Sequence, residues 1–168
     1  MVLNDVKQGF ATLWESVSEG WQRLRQSAAG ALIRFMPGER SSLPAKSEVD
    51  DDFYFPSQGW ALLGGDVFED DQRVVVRVEI PGMRKDDIRI EVTDDSLVVS
   101  GEKRFERESS EGRYRILQCA YGNFRRVVPL RTRVLPEQAQ ASYTDGVLKV
   151  TLPKASPGKP TAHTIRVT

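Results

Sequence analysis

The chain has few of the side chains on which catalysis most often depends. Its 168 residues include one cysteine, Cys119, and one histidine, His163. A single cysteine excludes an internal disulfide framework, and a histidine far from any nucleophile offers no acid–base pair. The sequence also has no G-x-x-x-x-G-K-S/T phosphate loop. We therefore expect no catalytic site, no metal, no cofactor and no use of nucleotide energy.

Net charge and long apolar runs are also missing. Twenty-four basic residues balance twenty-four acidic ones, so no net field draws the chain to nucleic acid or to an anionic membrane. No run reaches the roughly 18 apolar residues of a bilayer-spanning helix, so any membrane contact is expected to be peripheral. Asp5 and Glu15 stand where a signal peptide needs a basic stretch and then an apolar one. These absences predict a cytoplasmic, reducing location.

The first of three regions, residues 1–36, has apolar side chains at the spacing of an amphipathic helix. Gly9, Gly20 and Gly30 interrupt it, and each costs a helix about 1 kcal/mol relative to alanine. We expect a partly helical or disordered arm that holds its shape only when its apolar side is covered, by copies of itself or by another protein; a helix on a membrane surface is a third interpretation. The candidate contact residues are Phe10, Leu13, Trp14, Trp21, Leu24, Leu32 and Phe35.

The second region, residues 37–59, has the composition of a linker. It mixes proline, glycine and serine with three consecutive aspartates, Asp50 to Asp52. Such a mixture predicts a mobile segment. Phe53, Tyr54 and Phe55 form a short apolar island within it.

The third region, residues 60–153, alternates apolar and polar side chains with period two. In "RVVVRVEI", for example, Val74, Val76 and Val78 share one face. Similar stretches follow with turn residues between them and no helical stretch. Asp145-Gly146 predicts a two-residue hairpin turn, and Pro153 should end the last strand. The pattern predicts an all-β, antiparallel, immunoglobulin-like sandwich.

Four motifs in this region resemble those of one family. Ala141, three residues, Asp145 and then Gly146-Val147-Leu148 resemble the A-x-x-x-n-G-V-L signature of the small heat-shock proteins, which are built on the α-crystallin domain. "VRVEIPGMRKDDIRIEV" is similar to the family's third and fourth strands, "LVVSGEKR" to its fifth and "YGNFRR" to its seventh. The chain departs from the usual pattern at Pro129, one position early, so the seventh strand is expected to end sooner.

The resemblance implies an activity and partners. Members of this family hold partly unfolded proteins without ATP and work as dynamic oligomers of dimers. The expected partners are thus the chain itself and misfolded client proteins. A p23-like co-chaperone would share the sandwich but act as a monomer on one dedicated partner, and it stands as the alternative.

The resemblance also implies an anchor and a groove. The tail, residues 154–168, carries two prolines and a glycine ahead of Ile165-Arg166-Val167, which makes it a flexible tether. In the family, Ile165 and Val167 would insert between the fourth and eighth strands of another subunit. One wall of that groove would be Ile88, Ile90 and Val92; the other would be Gln138 and Gln140, or Ala139 and Ala141.

A charged stretch, "EKRFERESSEGRYRIL" at residues 102–117, is too long for a hairpin turn. We call it the excursion. In bacterial and plant relatives this stretch contains a sixth strand that pairs with the second strand of a neighbouring protomer, here near residues 66–69; a disordered loop is the alternative. Cys119, beside it, could cross-link protomers or be an inert small residue. The residues implied in the dimer contact are Tyr114, Ile116, Leu117 and Arg126.

Overall fold

The computed structural model describes residues 30–38, 43–56, 59–93, 95–109 and 111–156. Within these ranges the regular structure is almost entirely β, with three short 3-10 helices at Lys46–Glu48, Lys85–Asp87 and Pro136–Gln138. The strands are β1 (Leu32–Phe35), β2 (Gly59–Leu62), β3 (Gly65–Glu69), β4 (Arg73–Glu79), β5 (Ile88–Val92), β6 (Ser96–Lys103), β7 (Gly122–Pro129), β8 (Gln140–Thr144) and β9 (Val147–Pro153).

The strands form two antiparallel sheets and a separate two-stranded pair. One sheet has the order β3-β4-β9-β8, the other has the order β5-β6-β7, and β1 pairs with β2. The core between the sheets is built from alternate residues of their strands, among them Val76 opposite Val150 and Leu97 opposite Val128. The predicted antiparallel sandwich is confirmed.

The hairpin between β8 and β9 has the predicted turn. Asp145 and Gly146 both adopt positive φ angles, 51° and 78°, as a two-residue turn of this kind requires. β9 then ends at Pro153, which has no N–H to donate. Tyr143 adds a contact that holds the hairpin to the sandwich, because its hydroxyl donates to the Ile80 carbonyl oxygen at 2.8 Å.

The helix predicted through residue 36 is wrong for residues 32–35. These residues form β1, which pairs with β2 in the register Leu32 to Leu62 and Phe35 to Gly59. Phe35 is 2 % exposed and packs on Phe124, with 5.3 Å between ring centroids. A side chain in the core is not available to a client protein, so Phe35 is not a contact residue of the arm in this fold. Leu32, by contrast, is exposed.

The structure also differs from the mobile linker predicted for residues 37–59. Between residues 43 and 56 the chain turns through a 3-10 helix and buries Val49 and Tyr54. The Tyr54 hydroxyl donates to the Pro44 carbonyl oxygen at 2.8 Å. Phe53 and Phe55, the rest of the apolar island, are exposed. The burial of Val49 and Tyr54 shows that this segment has a defined structure.

Candidate self-association surfaces

β3 has one edge that no described strand pairs with. Glu79 N–H donates to Gly64 O at 2.8 Å, and Asp70 N–H donates to Arg73 O at 3.0 Å. Backbone N–H and C=O groups alternate between the two edges of a strand. The backbone groups of the even-numbered residues of β3 therefore point to β4, and the backbone groups of Val67 point outward. The Val67 side chain is itself 52 % exposed. This edge is open to pairing with another strand.

A groove of about 630 Å³ lies between the outer edges of β3 and β7. Alternation along β7 turns Phe124, Arg126 and Val128 into the sandwich, and Arg126 is 8 % exposed. A charged side chain therefore occupies a position that alternation normally gives to an apolar one. The rim of the groove includes Gly30, Ala31, Leu62, Gly65, Val67 and Val127.

The Arg126 guanidinium has no counter-charge among the described residues. Its buried Nε and Nη1 atoms make no hydrogen bond there, although buried polar atoms are almost always paired. Burial lowers the pKa of Arg126 below its ordinary value, because desolvation disfavours the charged form. A buried charge without a partner is costly. The groove is thus suited to a carboxylate, which would pair with the guanidinium.

The excursion holds the other residues implied in the dimer contact. β6 takes its first two residues and ends at Lys103. Of the strand character expected at 114–117, the structure shows only an isolated parallel bridge between Tyr114 and Val49 of the same chain. Ile116 is 67 % exposed, and Leu117 is half-buried. None of these residues lines the Arg126 groove.

The residues that hold the excursion were not predicted. Residues 46–51, which we call the latch, lie along it: Asp50 N–H donates to Tyr114 O at 2.8 Å and Tyr114 N–H donates to Glu48 O at 3.3 Å. Arg113 reaches Asp50 at 2.7 Å. The signal in the sequence is the complementary charge of the two segments, acidic at 48–52 and rich in arginine at 104–115.

A second ion pair strengthens the contact between latch and excursion. Arg107 donates from Nη1 and Nη2 to the two carboxylate oxygens of Glu48, at 3.0 and 3.3 Å. This bond, and then one from the Ala45 N–H, lowers the pKa of the Glu48 carboxyl from its ordinary value of 4.5. The latch carboxylate therefore stays ionised at pH values where a free one would begin to protonate.

The two strands predicted to flank the anchor, β5 and β8, lie at the sheet edges opposite β7 and β3. Ile88, Ile90 and Val92 are half-buried on β5, at the edge of its sheet, and they pack against the core. On β8 the register sets Ala141 opposite the buried Val150, and Tyr143 opposite the buried Leu148. Side chains opposite each other share a face of the sheet, so the Ala141 side of β8, and not the Gln140 side, faces inward.

Several predicted residues lie outside the described part of the chain. They are the anchor residues Ile165 and Val167 and five residues of the arm: Phe10, Leu13, Trp14, Trp21 and Leu24. Their roles stay predictions. Cys119 is described, and its thiol is free and exposed.

Within the described ranges the chain shows neither a metal site nor a membrane-spanning helix. No three or more His, Cys, Asp or Glu side chains there are placed to hold a metal ion. No helix among these residues is long and apolar enough to cross a membrane.

Known proteins resemble the chain over part of its length. It is 36 % identical over 95 residues to an 18.1 kDa class I heat shock protein of Oryza sativa subsp. japonica, covering 56 % of this chain and 59 % of that one. It is also 36 % identical over 91 residues to heat shock protein 16 of Schizosaccharomyces pombe, covering 53 % and 64 %. The chain thus spans about three fifths of these relatives.

A solved structure gives the same result. Heat shock protein 16.0 from Schizosaccharomyces pombe superposes with a TM-score of 0.54 at 32 % identity, covering 63 % of this chain and 97 % of that one. The profile of the Hsp20/alpha crystallin family matches residues 66–168, more than half of the sequence. The described motifs, the sandwich and these matches agree, and the chain belongs to the Hsp20/alpha crystallin family.

Proposed function

We propose that the protein is a chaperone that binds partly unfolded proteins and prevents their aggregation without ATP. It works in the cytoplasm as a dynamic homo-oligomer built from dimers. Family membership supports the chaperone class, since the relatives are heat shock proteins. The observation that carries the self-association is the outer edge of β3, which no described strand covers, beside a buried Arg126 whose Nε and Nη1 have no hydrogen-bond partner among the described residues.

The dimer forms when the excursion of one chain pairs with β3 of another. Edge pairing removes a row of free backbone groups that would otherwise invite aggregation, and a reciprocal contact gives a closed two-fold dimer. The excursion also carries Glu106, Glu108 and Glu111, so that it brings carboxylates to the groove that holds Arg126. Pairing then relieves the cost of an isolated buried charge.

The ends of the chain complete the assembly. The anchor at Ile165 and Val167 inserts between β5 and β8 of another subunit, and many weak contacts of this kind hold a particle together while allowing exchange. The apolar arm, with Trp14 and Trp21, packs against other arms until the particle loosens and then binds clients. An apolar surface that is covered in one state and free in another suits this task.

Heating a model enzyme in the presence of the chain tests the proposal. We expect light scattering from the aggregating enzyme to fall as the chain is added, to be abolished near equal subunit ratios, and to be unaffected by ATP. Serum albumin at equal mass serves as the control for nonspecific protection. Unchanged scattering at a several-fold excess of the chain would show that it is not a holdase.

A further inference from the structure

The latch occupies only one of the two edges of the excursion. The N–H and C=O of Tyr114 both bond to the latch. The backbone groups of the adjoining residues, Arg113 and Arg115, are not bonded to the latch. No backbone hydrogen bond joins them to other described residues. The excursion can therefore receive a strand while the latch stays in place.

Side chains fix the latch to the excursion independently of that free edge. Arg113 donates from Nε and Nη2 to Asp50 at 3.0 and 2.7 Å. Val49 is buried on the latch, and the Tyr114 ring stacks edge-on against Phe105 with 5.5 Å between centroids. Two ion pairs thus join the latch to the excursion, and the ring contact packs the excursion against itself, before any partner arrives.

We propose that the latch is part of the dimer interface: the excursion pairs with β3 of a second copy while still held by its own latch, giving the strand order latch, excursion, partner β3. This inference rests on the exchange proposed above. Pre-ordering a segment lowers the entropy lost on binding. The latch therefore strengthens the dimer, although it does not touch the second copy's β3.

A covalent version of the latch contact tests this order. In a Cys119→Ser background, Asp50→Cys and Arg113→Cys are joined by a short bis-maleimide, and sedimentation at a series of dilutions gives the monomer fraction. We expect the cross-linked chain to dimerise at least as tightly as the Cys119→Ser reference, and the same variant without cross-linker to dimerise several-fold more weakly.

The outcomes separate this inference from the proposed exchange. A cross-linked chain that stays monomeric where the reference dimerises would show that the latch must open before the dimer forms. Failure to cross-link within one chain would show that the latch does not lie along the excursion. Either result overturns this inference but leaves the proposed exchange standing. A reference that is itself monomeric at every concentration would end the proposed exchange, and the inference with it.

A milder substitution gives a second readout with a matched control. Asp50→Asn removes the charge that pairs with Arg113, whereas Asp52→Asn makes the same change at an exposed neighbour without an ion pair among the described residues. We expect Asp50→Asn to raise the dimer dissociation constant about two- to five-fold, the range of an exposed ion pair, and Asp52→Asn to leave it unchanged. Tighter dimerisation of Asp50→Asn would mean that the latch competes with the second copy.

Discussion

At the scale of single residues, Leu32 and Phe35 show how one spacing supports two structures. Three positions apart, they share a side of a helix, which is why the sequence assigns both to one apolar stripe. On a strand the same spacing sends them to opposite faces. In β1 Phe35 enters the core and Leu32 remains exposed. The two side chains therefore have different effects on stability.

Truncating Phe35 should unfold the sandwich much more readily than truncating Leu32. We expect Phe35→Ala to lower the free energy of unfolding by about 3–5 kcal/mol, the usual cost of removing a buried aromatic ring. Leu32→Ala should cost under about 1 kcal/mol because its side chain is exposed. Urea unfolding of both variants at one chain concentration checks this, and equal stability of the two would contradict the burial of Phe35.

Arg126 should affect the single chain and the dimer in opposite directions. Arg126→Met replaces a buried charge that has no ion-pair partner among the described residues by an apolar side chain, so the isolated chain should gain about 1–2 kcal/mol of stability. The dimer should lose its proposed ion pair and dissociate at least about tenfold more readily.

Urea unfolding at monomeric dilution and sedimentation at higher concentrations measure the two effects of Arg126→Met. Arg125→Met is the matched control, since Arg125 is exposed on the same strand. A loss of stability in the isolated Arg126→Met chain would mean that the guanidinium is already paired within it.

At the scale of elements, local patterns predict strands but not all of their partners. The alternation in β4 and β9 and the Asp145-Gly146 turn lie within a few residues of each other, so the sequence predicts both strands and their buried faces. β1 has only four residues, and its strand conformation depends on pairing with Gly59–Leu62, more than twenty positions away. The latch depends on Arg113, 63 positions from Asp50. The complementary charges of the two segments are consistent with a contact between latch and excursion, but the periodicity of apolar residues carries no information about it.

The open edge of β3 can be blocked without disturbing the β3–β4 ladder. The N–H of Val67 points away from β4, so Val67→Pro removes a donor only from the outer edge, where proline is tolerated. We expect this variant to stay folded and to lose dimer formation. Val67→Ala keeps the N–H and is the control. Sedimentation measures the mass and circular dichroism the fold; a folded Val67→Pro dimer would exclude pairing at this edge.

At the scale of the whole molecule, the size of the particle should depend on the tail. Replacing both Ile165 and Val167 by glycine removes the two side chains proposed to insert between β5 and β8, so the particle should shrink toward dimers, because the dimer contact does not involve the tail. Light scattering gives the mass, and Thr164→Gly with Thr168→Gly is a control beside the anchor. An unchanged mass would reject the anchor.

Gly30, the first described residue, lies on the rim of the Arg126 groove. Residue 30, where the preceding arm joins the described fold, therefore lies beside the proposed dimer contact. Two arms that bind clients as proposed, both carried by one dimer, would give bivalent capture: once one arm holds a client, the other meets it at high effective concentration. Clients long enough to contact both arms would be released far more slowly than short peptides that occupy one.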